Sequence, residues 1–198
     1  MTTFNNKIAK PSTDFIWGDF ISHKICDDLI DFYHTQDYLK PTEGMVLEQG
    51  VRVVRPERKE STDLSIPYYL NHPAIQAYSK ALQGILNRYQ LRFPFCETAP
   101  YKVTEPYSFQ WYPKGGGFKI WHTERNNAHL SNVYRHLVFM TYLTDAPGGG
   151  TEWFHQDKYV DAQKGMTVIW PSDWTHLHRG RVTKDHEKII ITGWFSFN

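Results

Sequence analysis

The sequence predicts a mainly β fold with flanking helices, an antiparallel double sheet with the helices along one face. Three observations carry this. From about residue 101 onward, β-branched and aromatic residues dominate and Gly and Pro punctuate them. Ahead of that stretch lie two segments with apolar residues at helical spacing. Helices first and then about eight short strands are the order expected of segregated α and β layers. The 198 residues suit one domain with a real core, and there is no internal repeat, low-complexity segment or linker. One domain is therefore expected over 1–198, with helical support over 14–100 and a β core over 101–198.

Residues 1–13 are polar and are expected to be loosely held. A short extended segment then leads into a helix that Ser22 can cap, with Asp27 and Asp28 in its early turns and Ile25, Leu29 and Phe32 or Tyr33 on one face. A strand is expected at 51–55. The loop after it carries Arg58, Lys59 and Glu60, a cluster of the kind that usually forms a solvated surface. Pro73 opens a second helix running to about residue 89, with Asn71 or His72 as cap. Ala74, Tyr78, Leu82, Ile85 and Tyr89 make its apolar stripe, and Gly84 is a mild local cost. Strands follow near 104–112, 118–123, 135–144, 150–154, 158–161, 166–170, 175–179 and 187–197, with PKGGG and DAPGGG as turns. Residues 125–133 read equally as an ordinary loop or as a lid, and 55–65 as a second mobile segment.

Bulk composition narrows the function classes. Lys plus Arg is 22 against 21 for Asp plus Glu, so no general attraction for polyanions exists and nucleic acid is not a favoured partner. No apolar run approaches the roughly 20 residues that span a bilayer, so no membrane partner is expected. The N-terminal stretch has no apolar core of a secretory signal, and the two cysteines, Cys26 and Cys96, form no framework; both point to the cytoplasm. Aromatics reach 16%, which fits a filled β core before it fits a special site.

The chemistry concentrates between Trp111 and Trp194. His122 and Glu124 are separated by one residue, and on a strand such residues share a face. His178 can complete a set of three. Two imidazoles and a carboxylate suit Fe(II) with positions left open for other ligands. Ten residues past His178, Lys188 can hold the far end of an acidic cosubstrate. His176 competes with His178 for the distal place, since a regular strand would put both on one face.

Taken in order, these features resemble the Fe(II)- and 2-oxoglutarate-dependent dioxygenases, and within them the prolyl 4-hydroxylase-like branch. The matching residues are Tyr112, His122-Thr123-Glu124, Arg135, Tyr142-Leu143, the GGGT ending at Thr151, His178-Arg179-Gly180, Lys188 and Trp194, covering about half the chain. The departure is Glu124, where most members carry Asp. The resemblance implies a double-stranded β-helix, or jelly roll. It implies His122, Glu124 and His178 as Fe(II) ligands and as the catalytic centre, with Lys188, Thr151 and Tyr112 on 2-oxoglutarate. Arg135 and Trp194 would face the organic substrate. It further implies O2 as cosubstrate, ascorbate as an optional reductant, and release of succinate and CO2. Gly180 and Lys188 then fall at the family's distances from His178, which favours it over His176.

On substrate, the resemblance favours a peptidyl proline in a protein or peptide, because the regions matching Arg135 and the charged loop at Arg58 grip an extended peptide in prolyl hydroxylases. The alternative is hydroxylation of a free amino acid or other small molecule, because one fold serves many substrates. A hydrolase or isomerase using another divalent metal has no need of Lys188. A non-catalytic metal-binding module would show a degenerate ligand set, which this chain does not.

Overall fold

The computed structural model describes residues 14–197; the expectation for residues 1–13 lies outside the described residues. In chain order the first half contains β1 (Trp17–Phe20), α1 (His23–Thr35), β2 (Thr42–Glu43), β3 (Met45–Glu48), β4 (Val51–Val54), β5 (Lys59–Glu60), β6 (Thr62–Ile66) and α2 (Pro73–Arg92). The second contains β7 (Tyr101–Val103), β8 (Tyr107–Tyr112), β9 (Gly117–Phe118), α3 (Leu130–Val133) and β10 (Arg135–Tyr142). It continues with β11 (Ala146–Trp153), β12 (Lys158–Ala162), β13 (Met166–Pro171), β14 (His178–Gly180) and β15 (Lys188–Phe197).

Local chemistry sets the helices. Ser22 caps α1 by accepting from the Lys24 N–H, and His72 caps α2 by accepting from the Ala74 N–H. Pro73 occupies the first turn of α2, where its missing N–H costs nothing. Cys26, Leu29 and Phe32 of α1 and seven residues of α2, Ala74 to Tyr89, are buried.

The large sheet runs β1-β13-β10-β15-β8-β6-β2, with β7 added on β15. The small sheet runs β12-β11-β14, and the bridge between His122 and His178 extends it by one residue pair. Strand alternation divides the core. Leu137 and Phe139 of β10, with Ile191 of β15, join the layer under α1 and α2. Val138, Met140 and Tyr142, with Ile190, join a second layer between the sheets, where Trp153 and Trp170 meet edge-on at 5.2 Å. This is a jelly roll with helices against its large sheet. No helix among the described residues is long and apolar enough to cross a membrane.

Four local expectations need correction. The strand expected at 118–123 stops at Phe118, and His122 reaches the sheet only as an isolated bridge. The strand expected at 175–179 begins at His178, because Trp174–His176 form a 3-10 turn. DAPGGG is not a turn: Ala146 to Gly150 lie within β11, in a register shift that absorbs Gly148 at φ 76°. The charged loop after β4 is not merely a solvated surface either. Lys59 is 5% exposed, because β5 pairs with β9 and brings its ammonium to Asp63 at 2.5 Å. The large sheet also takes β6 and β2 from the first hundred residues, so that half does more than supply helices.

Candidate active site

Two imidazoles and a carboxylate converge in the mouth between the sheets. One donor atom from each of His122, Glu124 and His178 lies within 4.8 Å of the others. Glu124 Oε1 stands 3.4 Å from His122 Nε2 and 3.6 Å from His178 Nε2. The convergence does not come from the two-residue repeat of a strand. It comes from backbone pinning: His122 N donates to the His178 carbonyl and His178 N to that of His122, both at 3.0 Å. The Glu124 and Arg125 N–H groups then donate to the Ser172 carbonyl at 3.3 and 3.0 Å, which bends the chain back over the site.

Each imidazole is also oriented from behind. His122 Nδ1 lies 3.0 Å from the Ile120 carbonyl, and His178 Nδ1 lies 2.9 Å from the His176 carbonyl. A carbonyl there accepts from Nδ1–H, so in both rings the Nε2 lone pair points at the common centre. Phe118 stacks on His122 at 3.8 Å, and Trp170 meets His178 edge-on at 5.0 Å. Burial alone would raise the Glu124 carboxyl; protonation of the facing imidazoles at Nε2 outweighs it and holds it well below the usual carboxylate range, so a positive charge at the common centre is favoured. Burial, with His122 beside it, lowers His178. This is a carboxylate facing two imidazole nitrogens, a donor set that suits a divalent transition metal.

His176 plays another part. Its Nε2 lies 2.8 Å from the Asp14 carbonyl and its Nδ1 lies 3.0 Å from Thr175 Oγ1, so the ring ties the N-terminal segment to the 3-10 turn.

Lys188 is 4% exposed. Its ammonium donates to the Gly149 carbonyl and, at 3.2 Å, to that of Arg181; no carboxylate among the described residues pairs with it. Burial pushes its pKa down to about 8. Thr151, Tyr112 and Gly180 surround this cation. Lys188 pairs with Tyr112 across the β8–β15 ladder and its ammonium lies 5.1 Å from the phenol ring. Gly180 pairs with Thr151, and a Cβ on Gly180 would lie 3.5 Å from the ammonium. Gly180 is two residues beyond His178 on β14, so one short strand links the surroundings of the cation to the triad. The Tyr112 hydroxyl donates to Gln110 Oε1, and Thr151 Oγ1 accepts from the Tyr142 hydroxyl at 2.8 Å.

Arg135 and Trp194, which the resemblance turns toward the organic substrate, lie against each other. Arg135 is 7% exposed and its fork is taken by the protein. Nε and Nη2 donate to Glu105 at 2.9 and 2.7 Å, and Nη1 donates to the carbonyl and to Oε2 of Glu124 at 3.2 and 3.3 Å. The Trp194 ring lies flat under the guanidinium at 3.4 Å. Sequence reasoning also missed Glu105, Gln110, Phe118, Tyr142, Ser172 and the buried Lys59. Only Tyr142 stood in a motif; Gln110 and Phe118 contact the near neighbours Tyr112 and His122, while Glu105 and Ser172 reach Arg135 through contacts distant in sequence.

Comparison with known proteins agrees with this geometry. Residues 107–196 match the model of the 2OG-Fe(II) oxygenase superfamily. A prolyl-4-hydroxylase of Pseudomonas putida is 18% identical, with a TM-score of 0.67 over 94% of each chain. The viral collagen prolyl hydroxylase of Paramecium bursaria Chlorella virus-1, in its 2OG complex, is also 18% identical, with a TM-score of 0.67 over 94% of this chain and 97% of that one. A prolyl hydroxylase of Trichoplax adhaerens, in complex with a hypoxia inducible factor oxygen degradation domain peptide, is 16% identical. It has a TM-score of 0.68 over 93% of this chain and 84% of that one. A search of curated proteins finds no match. With the triad assembled and the family match running from β8 to β15, residues 107–196 carry the signature of the 2OG-Fe(II) oxygenases, the dioxygenases that use Fe(II), 2-oxoglutarate and O2, and the fold of the chain is that of the prolyl 4-hydroxylases.

Proposed function

We propose that this chain hydroxylates a peptidyl proline, with 2-oxoglutarate converted to succinate and CO2. The observation that carries the oxygenase half of this reading is Lys188, a buried ammonium with no carboxylate partner among the described residues, lying beside Gly180, two residues beyond His178. An unpaired buried charge is costly, and an incoming carboxylate is what relieves it. His122, Glu124 and His178 fit Fe(II): two oriented nitrogen donors and one carboxylate oxygen within 4.8 Å of one another. When bound, Fe(II) with 2-oxoglutarate and O2 supplies the oxidation that puts a hydroxyl on a C–H carbon.

The chain's own residues do the rest. Lys188 neutralises the distal carboxylate and fixes how deep the cosubstrate sits. Thr151, paired with Gly180, and Tyr112, paired with Lys188, bond the cosubstrate from two sides. Phe118 and Trp170 wall the imidazoles and keep water from their flanks. The peptide half rests on the outer rim, where Phe154 and Trp174 are 58% and 70% exposed and Phe154 meets Trp121, the neighbour of His122, edge-on at 5.3 Å. Aromatic faces at a mouth suit a chain laid across it, and proline rings pack well on them. The free thiols of Cys26 and Cys96 support the cytoplasm as the compartment.

The test is incubation with Fe(II), 2-oxoglutarate, oxygen and a library of proline-containing peptides, read by mass. A gain of one oxygen on proline is the expected result. Succinate formation stimulated only by free amino acids would give the substrate to the small-molecule alternative.

A dependence on pH follows from Lys188. Its folded pKa, about 8, lies below its ordinary value of 10.5, so between these the unfolded chain binds more protons. Stability of the ligand-free protein should therefore rise as pH climbs from about 8 to about 10.5. Cosubstrate binding runs the other way, because it needs the ammonium. Calorimetry at pH 7 and 9 should find 2-oxoglutarate bound roughly tenfold more weakly at the higher pH. Equal affinity at both would mean that Lys188 is not the group it meets.

A further inference from the structure

We propose that Arg135 is a positioning residue that holds Glu124 as a one-oxygen metal ligand, and that it does not contact the organic substrate. The inference rests on the metal reading above. Glutamate has one more methylene than aspartate, and its terminal torsion is broad and nearly two-fold, so an untethered carboxylate can turn both oxygens inward. Here the oxygens are divided. Oε1 faces the two Nε2 atoms at 3.4 and 3.6 Å, while Oε2 lies 3.3 Å from Arg135 Nη1. The same Nη1 holds the Glu124 carbonyl at 3.2 Å, so one donor fixes both the backbone and the carboxylate.

The guanidinium is itself immobilised. Glu105 takes its other edge in a two-point bond, Trp194 covers one face at 3.4 Å, and Ser172 Oγ donates to the Arg135 carbonyl at 2.7 Å. Ser172 also accepts from the Glu124 N–H, which closes the loop of contacts around the ligand. The β-bulge between Arg135 and Leu137 at the start of β10 is where the strand leaves regular pairing to place this side chain. Planar, two-sided use of the fork is something Lys cannot reproduce. Keeping Oε2 occupied leaves a metal coordination position free that a two-oxygen Glu124 would fill.

The test uses the full chain loaded with Mn(II) without oxygen. Metal affinity and 2-oxoglutarate affinity are measured by calorimetry, and metal-bound water is counted from spectral broadening in oxygen-17 water. Arg135→Gln should keep Mn(II), lose one bound water, and weaken 2-oxoglutarate by about 10- to 100-fold, the usual range for loss of an outer-shell partner. Arg135→Lys should restore little of it. Glu105→Gln, which loosens the guanidinium without touching Glu124, should shift both readouts in the same direction, and it decides the matter if Arg135→Gln does not fold. Unchanged water count and 2-oxoglutarate affinity, with only the KM for a peptide raised, would overturn the proposal and return Arg135 to substrate binding. Failure of the wild type itself to hold Mn(II) would overturn the metal reading beneath it, and that outcome is distinguished by not needing any substitution.

Discussion

Lys188→Ala is expected to retain the metal and lose 2-oxoglutarate by roughly two to four orders of magnitude. Removing the cation leaves the cosubstrate's distal carboxylate buried without a partner, a loss of about 3–5 kcal/mol for broken buried pairs. At about 1.4 kcal/mol per tenfold, that gives the stated range. The alanine variant should also be easy to fold. The wild-type ammonium is buried at a cost, as its lowered pKa records, so its removal relieves strain on the ligand-free protein. Lys188→Arg should recover only part of the binding, because the planar group is longer and Gly149 and Arg181 already fix the pocket depth with their carbonyls. Calorimetric titration of Mn(II)-loaded variants gives the answer. If Lys188→Ala binds as the wild type does, the anchor lies elsewhere, with Arg181 and Lys184 next to be tried.

The second large effect concerns the triad. His122→Ala and His178→Ala should each abolish Fe(II) binding and turnover together, because each removes one of the three converging donors and leaves Glu124 with a single nitrogen partner. His176→Ala is the control. It leaves the three donors intact but frees the Asp14 carbonyl and the 3-10 turn, so it should keep the metal and cost about 1–3 kcal/mol of stability. Metal content after dialysis and a thermal melt separate the two behaviours. Loss of metal in His176→Ala with retention in His178→Ala would exchange the assignments.

The parts of the molecule that were legible in the sequence are those governed by near neighbours. Ser22 and Pro73 mark helix starts because capping and a fixed φ act within a few residues. Strand texture marks β8, β10, β13 and β15 because each is long enough to alternate against a core. The three donors were legible by type and spacing, yet for a partly wrong reason: the strand expected to carry His122 ends at Phe118, and the mutual bridge with His178 does the alignment instead. What was not legible depends on contacts far along the chain. Nothing near Lys59 says that a two-residue pairing with β9 will bury it, and nothing near Arg135 says that Glu105, thirty residues earlier, will take its fork. A charge cluster reads as solvent-facing, and Arg135 as substrate-facing, until the partners are known. The same holds for GGGT, whose glycines look like a turn but serve a bulged strand that brings Thr151 opposite Gly180.

The central claim is that the triad and Lys188 form one site for a metal and a dicarboxylate. Oxygen-free calorimetric titration of 2-oxoglutarate into the wild-type chain, with and without Mn(II), tests it most directly. The account predicts one saturable binding event that requires the metal, since the ligand is held at both ends. Absence of binding in the presence of Mn(II), or binding of equal strength without it, would contradict the account.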